Sequence, residues 1–180
     1  MILSRTIAPA TEPVTLTEAK AHLGVTITDD DVRLNSLITV AREWAESYTG
    51  QAFVSQTWAA YFDDFPLGDT IRLPGPLLSI TSVGYVDQDG ELQAFADYTL
   101  DAAGGRIFLD YDADWPDVRN IENAVTITFV AGYETMPESI KSAIKLQVEM
   151  LYDRPDTAYS AAINNAIAAV LTPYRDMRRL

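Results

Sequence analysis

The sequence predicts an α+β protein, a small bundle of about four helices with an antiparallel β-sheet or sandwich inserted into it. Near both ends of the 180-residue chain, apolar residues recur every three or four positions, as on one face of a helix. Between these regions, apolar and polar residues alternate, and β-branched and aromatic side chains are frequent, as in half-buried strands. Because helical patterns flank the β pattern, the two ends are expected to form one helical unit.

The first two helices have recognisable ends. In "VTLTEAKAHLG", Thr15 and Glu18 have capping-box spacing, and Gly24 can end the helix in a left-handed conformation. A second helix is predicted from the Asp triplet at residues 29–31 to Gly50. Its apolar face consists of Leu34, Leu37, Ile38, Ala41, Ala45 and Tyr48.

The middle of the chain predicts strands. The segments "FVSQTWAAYF", "LLSITSVGYV" and "NAVTITFVAGY" follow a period of two, and "DQDG" after Val86 is a hairpin signal. Pro66, Pro74 and Pro76 separate these segments. An antiparallel unit from about residue 52 to about residue 132 accounts for this pattern.

Helical spacing returns after Pro137, and a last helix is predicted from Ala161 to Leu171. The apolar face of the helix after Pro137 consists of Ile140, Ala143, Ile144, Val148, Leu151 and Tyr152. The predicted organisation is an N-terminal arm (1–13), a first helical part (14–50), a β insertion (51–136), a second helical part (137–172) and a C-terminal tail (173–180).

Composition and charge narrow the classes of function. The chain has no Cys, which excludes disulfides and Cys-ligated zinc, and His22 is its single His. No stretch resembles a secretory signal or a membrane span, which predicts a soluble protein made in a cytoplasm, with no membrane partner. The net charge of −13 opposes general attraction to nucleic acid. The charge is uneven, because residues 50–136 contain fourteen acidic and three basic residues, whereas six basic residues face four acidic ones from Lys141 onward.

Two acidic motifs are candidate metal sites. The triplet at residues 29–31 lacks the alternating spacing of a Ca²⁺ loop, and we predict that it caps the second helix by accepting hydrogen bonds from its free N–H groups. The motif "DYDAD" has alternating acids at Asp110, Asp112 and Asp114, but it lacks the glycine and the late bidentate acid of such a loop. An acidic turn between strands is therefore the favoured interpretation, and no metal or cofactor is expected.

The C-terminal segment "LTPYRDMRRL" brings basic and apolar side chains together beyond the last predicted helix. This composition is typical of a docking peptide that orders on binding, and a frayed terminus is the alternative. The candidate docking residues are Tyr174, Arg175, Met177, Arg178, Arg179 and Leu180.

Several segments, taken in order, resemble a known family. They are "PVTLTEAKAHLGV", "DDDVRLNSLITVAREWAESYTGQAFVSQTW", "IRLPGPLLSITSVGYVDQDG", "AVTITFVAGYETMPESIKSAIKLQVEMLYDR" and "VLTPYR". Together they look like the head-tail connector proteins, also called adaptor or head-completion proteins, of tailed bacteriophages and gene transfer agents. The resemblance rests on helix and strand landmarks and not on catalytic residues.

The resemblance implies a structural, non-enzymatic role in the virion neck, after assembly in the host bacterial cytoplasm. Members of the family form a ring under the portal, usually matching a dodecameric portal. They seat their C-terminal segments on the portal and present the other side to stopper or tail-completion proteins.

DNA passes such a ring in transit and is not specifically bound. The acidic middle of this chain would suit the channel or its mouth, because it repels phosphate. A ring also needs a head-to-tail subunit interface, for which Arg42 and Trp44 on the second helix are the candidates.

Two other functions are compatible with the sequence. One is a metal-dependent enzyme that uses Asp110, Asp112 and Asp114. The other is a β binding module on a helical stalk. Exposed aromatic residues on the β unit would favour the binding module, whereas a buried Trp58 and Tyr61 would not.

Overall fold

The computed structural model describes residues 1–153 and 156–175. The chain divides into two compact units, each built from two separate segments. The β unit consists of Met1–Ala10 and Ser55–Glu134, and the helical unit consists of Thr11–Val54 and Thr135–Leu180. The helices and antiparallel sheets of these units confirm the predicted α+β class.

The helical unit contains α1 (Leu16–Leu23), α2 (Asp31–Thr49), α3 (Glu138–Asp153) and α4 (Thr157–Leu171), followed by a short 3-10 turn (Thr172–Tyr174). The predicted capping box begins α1, because the Thr15 hydroxyl oxygen accepts from the Glu18 N–H at 3.2 Å and the Glu18 carboxylate accepts from the Thr15 N–H at 2.7 Å. Gly24 and Gly50 end α1 and α2 with φ angles of 70° and 71°. These predicted helix ends are confirmed.

The Asp triplet before α2 does not cap the helix in the predicted way. Asp30 is the N-cap residue, but its side chain makes no capping hydrogen bond. Its φ of −94° and ψ of 1° lie outside the extended conformation in which a capping carboxylate reaches the first free N–H groups. Instead, Asp30 accepts a hydrogen bond from the Tyr152 hydroxyl at 2.7 Å, and Asp31 pairs with Lys20 at 2.6 Å. The capping prediction is therefore wrong, since these carboxylates connect α2 to α3 and to α1.

The other two helices supply much of the helical core. α4 begins before the predicted Ala161, at Thr157, because the Asp156 carboxylate accepts from the Tyr159 N–H at 2.9 Å and caps the helix. Among the described residues, no helix is both long and apolar enough to cross a membrane. The buried positions of α3 and α4 are Ile140, Ala143, Ile144, Gln147, Val148, Ile163, Ile167 and Leu171.

The β unit contains two antiparallel sheets. Its strands are β1 (Ile2–Ile7), β2 (Gln56–Phe62), β3 (Thr70–Arg72), β4 (Leu77–Val86), β5 (Leu92–Phe95), β6 (Tyr98–Asp101), β7 (Arg106–Leu109) and β8 (Val125–Ala131). Five of them pair in the order β1-β2-β8-β4-β5, and the other three in the order β3-β7-β6.

The central strand β8 shows the period of two most clearly, since every second residue from Val125 to Ala131 is buried. The "DQDG" hairpin is confirmed between β4 and β5, where the Asp87 N–H donates to the Glu91 carbonyl at 3.0 Å.

The N-terminal arm predicted for residues 1–13 contains a strand that sequence analysis missed. Ile2–Ile7 pairs antiparallel with β2, with Leu3 opposite Ala60, and forms one edge of the five-stranded sheet. Five of its six residues are exposed, so the strand lacks the alternation of buried positions that marks β8. The β unit is therefore not a simple insertion, because one of its strands comes from the start of the chain.

Candidate interaction surfaces

The described part of the predicted docking tail is packed on the helical unit. The Tyr174 hydroxyl lies 2.7 Å from the hydroxyl of Ser139 on α3. The Arg175 guanidinium lies over the ring of Tyr48 on α2, 5.3 Å from the ring centroid, as in a cation–π contact. Tyr174 and Arg175 therefore fix the position at which the tail begins.

The remaining candidate docking residues, Met177, Arg178, Arg179 and Leu180, lie outside the described residues. A docking role for the tail stays a prediction at all six positions. The structure adds that the chain reaches residue 175 beside the ring of Tyr48.

Arg42 is the centre of an ion-pair network. Its Nε donates to Glu12 at 2.7 Å, and its Nη1 donates to Glu46 at 2.7 Å. The Thr39 hydroxyl also donates to Glu12, at 2.9 Å, and Glu46 accepts from the Phe53 N–H at 2.8 Å. The network thus joins α2 to the segments that precede and follow it.

Arg42 does not fit its predicted place on a subunit interface, because only 2% of the residue is exposed. Burial alone would lower the pKa of Arg42. Hydrogen bonding to Glu12 and the charge of Glu46 outweigh that effect and raise the pKa. The buried guanidinium is therefore charged and engaged inside the helical unit, where it holds α2 in position.

Trp44 does lie at the surface of the helical unit. It is 36% exposed, and its indole stacks on Tyr48 with ring centroids 5.5 Å apart. Val32, Ser36 and Val40 precede it at intervals of four residues, so all four lie along one face of α2, and all four are exposed. We call these four residues the α2 stripe. It carries no charge, as is typical of the centre of a protein interface.

The acidic residues considered as metal ligands do not converge. Asp110 accepts a hydrogen bond from the Thr99 hydroxyl at 2.6 Å, and Asp112 adopts a left-handed backbone conformation with φ of 61°. In the part of the chain that the structure describes, no group of three His, Cys, Asp or Glu side chains could hold a metal ion. His22 contacts Glu149 at 2.9 Å. The interpretation of residues 110–114 as an acidic turn fits this geometry.

The aromatic residues considered for a binding module are neither buried nor exposed. Trp58 and Tyr61 on β2 are both half-buried. The Trp58 indole nitrogen is itself buried and has no hydrogen-bond partner among the described residues. This arrangement gives a ligand-stacking surface no specific support.

The negative charge is concentrated in the β unit. That unit contains fourteen acidic and four basic residues, a net charge of −10, whereas the helical unit, with twelve acidic and nine basic residues, has a net charge of −3. The predicted acidic middle of the chain therefore corresponds to a structural unit.

The exposed apolar residues Leu67 and Tyr111 of the β unit were not predicted from the sequence. No periodic signal marks them, because both lie in loops, where a leucine or tyrosine can turn inward or outward. The pairing of Glu12 with Arg42 was not predicted either, since the two residues are 30 positions apart.

Comparison with known proteins agrees with the resemblance read from the sequence. The family model described as Phage gp6-like head-tail connector protein matches residues 13–74. This match confirms the predicted resemblance over the segment that contains α1, α2 and β2. No curated protein matches the chain.

Solved structures extend the likeness to nearly the whole chain. A chain in the neck of an empty gene transfer agent (GTA) particle, computed with C6 symmetry, is 24% identical to this chain in sequence, with a TM-score of 0.80. A chain in the neck of a native GTA particle, computed with C12 symmetry, is 25% identical with a TM-score of 0.79. A chain in the virion of a native gene transfer agent (GTA) particle is 23% identical with a TM-score of 0.78. Each likeness covers 97% of this chain and 95% of the other.

Proposed function

We propose that this chain is a head-tail connector, a structural and non-enzymatic subunit of the neck of a phage or gene transfer agent particle. The observation that carries the proposal is the agreement of two independent comparisons. The connector family model matches residues 13–74, and chains from GTA particles, two of them from the neck, share the fold over 97% of this chain. A shared fold alone would not define the function, but the family match adds a second indication.

The subunits would assemble as a ring in the particle neck. The solved necks were computed with C6 and C12 symmetry, which suits a ring that matches a dodecameric portal. A closed ring needs two different, complementary surfaces on each subunit. The α2 stripe supports one of them, because three of its four residues are apolar and all four are uncharged and exposed on the helical unit. Trp44 thus keeps its candidate interface role, and Arg42 supports that surface from inside.

The C-terminal tail would bind the portal, and a stopper or tail-completion protein would bind on the opposite side of the ring. The anchored positions of Tyr174 and Arg175 support tail docking, because the following residues start from a fixed point. A short segment that starts from a fixed point loses less conformational entropy when it binds than a free peptide does.

DNA would pass the ring without specific binding. The net charge of −10 on the β unit repels phosphate, so this unit suits the channel or its mouth. Assembly would take place in the cytoplasm of the host bacterium, before the particle leaves the cell.

Deletion of residues 176–180 tests the tail, because it leaves the Tyr174 and Arg175 contacts in place. We expect a folded chain that no longer co-purifies with the portal ring of the same particle. A chain with Arg178→Lys and Arg179→Lys is the matched control, since it keeps the charge and length of the tail. Normal portal binding by the shortened chain would exclude the tail as the docking element.

A producing strain without this gene tests the proposed function as a whole. We expect DNA-filled heads that have no tails, and complementation by the full chain should restore complete particles. Complete particles made without the gene would refute the connector role.

A further inference from the structure

Two loops of the β unit each carry a large apolar side chain that is almost completely exposed. Leu67 lies in the loop between β2 and β3, and Tyr111 lies in the loop after β7. Leu67 is fully exposed and Tyr111 is 95% exposed. We call the two loops, residues 63–69 and 110–117, the β-unit tip. Exposed apolar residues that lie together and are surrounded by polar residues are typical of interaction sites, whereas single ones are common on any surface.

The two loops are tied together at their bases. The Leu109 N–H donates to the Asp69 carbonyl at 2.9 Å. The Trp115 indole N–H donates to the Gly68 carbonyl at 2.9 Å. Trp115 also stacks on the buried Phe65, with ring centroids 4.8 Å apart and planes 7° apart. The apolar pair is therefore presented on a fixed base, which reduces the entropy lost on binding.

Tyr111 is displayed by a tight turn. The Ala113 N–H donates to the Asp110 carbonyl at 3.1 Å, and Asp112 has a left-handed φ of 61°. The Asp110 carboxylate accepts from the Thr99 hydroxyl on β6, which fastens the turn to the three-stranded sheet. The outward position of the Tyr111 ring thus follows from a defined local structure.

The charge around the apolar pair indicates the kind of partner. All seven acidic residues of the β-unit tip are exposed, and within the described chain none of them is in an ion pair. Phosphate repulsion makes this surface unsuitable for DNA. The same surface of a second copy is also a poor match, because it carries the same seven exposed acidic residues. A different protein with a basic surface around an apolar recess is complementary in both respects.

We infer that the β-unit tip is the docking surface for the next protein toward the tail, and that this partner offers basic side chains around a recess for Leu67 and Tyr111. This inference rests on the proposed function, because it assigns one surface of the connector to its tail-side partner. The apolar pair supplies most of the binding free energy, and the acidic residues guide the approach.

In vitro joining of heads and tails tests the inference. Heads that carry this chain are purified from a strain that makes no tails, and tails are purified from a strain without this gene. Mixed samples are scored for joined particles by electron microscopy. We expect Leu67→Ser with Tyr111→Ser to leave the chain and DNA in the heads and to slow joining at least about tenfold. Leu92→Ser is the matched control, because Leu92 is 78% exposed in the same unit but outside the tip.

A second variant tests the charge. Joining by wild-type heads should slow as NaCl is raised from about 50 mM to about 500 mM, because salt screens the charges of the tip. Replacing Asp69, Asp112 and Asp114 by asparagine should make the rate of joining depend less on salt. The assignment would be overturned if heads with Leu67→Ser and Tyr111→Ser joined tails as fast as wild-type heads. It would also be overturned if Leu92→Ser slowed joining as much as that double variant.

Two other outcomes identify other occupants and also overturn it. Loss of DNA from heads of the double variant would indicate a DNA-facing surface. A change in self-association of the isolated chain with unchanged joining would indicate a second copy. If the wild-type chain were absent from heads, the proposed function itself would fail, and that result is separate from any result on joining.

Discussion

Replacing Arg42 by methionine tests whether the buried network holds the helical unit together. Methionine keeps an apolar stem in place of the arginine stem but removes the cation. The variant loses two hydrogen bonds of 2.7 Å, one to Glu12 and one to Glu46. Glu46, whose side chain is only 11% exposed, then loses the Arg42 cation but keeps the Phe53 N–H.

The expected cost is about 3 kcal/mol in the free energy of unfolding. Removing one partner of a buried ion pair costs about 3–5 kcal/mol, and the lower end applies because Glu12, 29% exposed, can regain water. With a dependence on urea of about 2 kcal/mol per molar, the unfolding midpoint should fall by about 1.5 M.

Urea unfolding followed by far-ultraviolet circular dichroism at pH 7 measures this midpoint. Arg72→Met is the matched control, because Arg72 is exposed and should change the free energy by less than about 0.5 kcal/mol. Adding Glu12→Gln and Glu46→Gln to the Arg42 variant should recover part of the loss, since both side chains that bound the guanidinium are then uncharged. An Arg42 variant as stable as the wild type that fails to form rings would refute the positioning role and restore the interface role.

Three further substitutions have defined outcomes. Glu18→Ala should cost about 1 kcal/mol at pH 7, because it removes the acceptor of the Thr15 N–H. The hydrogen bond from the Thr15 N–H lowers the pKa of Glu18. The contribution of Glu18 to the free energy of unfolding is therefore fully present above the ordinary carboxyl pKa and is lost as the pH falls through the lowered pKa. Urea midpoints of the wild type and the variant at pH 7 and pH 3 measure this loss. Gly90→Ala should cost about 1–2 kcal/mol, because Gly90 has φ of +92°, a backbone conformation that residues with a Cβ rarely adopt. Asp31→Ala should lower stability by only about 0.5–1 kcal/mol, since its ion pair is partly exposed; a midpoint shift above about 1 M urea would contradict this.

The sequence contains enough local information to predict most elements of the fold. Helix ends can be predicted because capping depends on residues only a few positions apart. The residues that identify them are Thr15, Glu18, Gly24 and Gly50. Strand β8 is equally clear, because its alternating residues are buried on one face. Strand β1 could not be predicted in the same way, since an exposed edge strand has no strong alternation.

The candidate surfaces were harder to predict because they depend on contacts between distant segments. Nothing near Arg42 in the sequence reveals that Glu12 neutralises it, so a buried arginine was interpreted as a surface residue. The Asp triplet has the composition of a helix cap, but Tyr152 and Lys20 compete for its carboxylates. The outward positions of Leu67 and Tyr111 depend on how two loops meet, which no local pattern encodes.

The origin of β1 has a consequence for dissecting the protein. The chain passes between the two units three times, after Ala10, Val54 and Glu134. Excising residues 55–134 to isolate the helical unit would leave Ile2–Ile7 without the strand it pairs with. Expressing residues 55–134 alone would leave β2 with an open, aggregation-prone edge. A single proteolytic cut at the Val54 boundary would produce two fragments that each contain pieces of both units, so neither unit would be released. A circular permutant that links residue 180 to residue 1 and opens the chain after Ala10 would instead place β1 beyond α4. Its folding would show whether β1 must be made first.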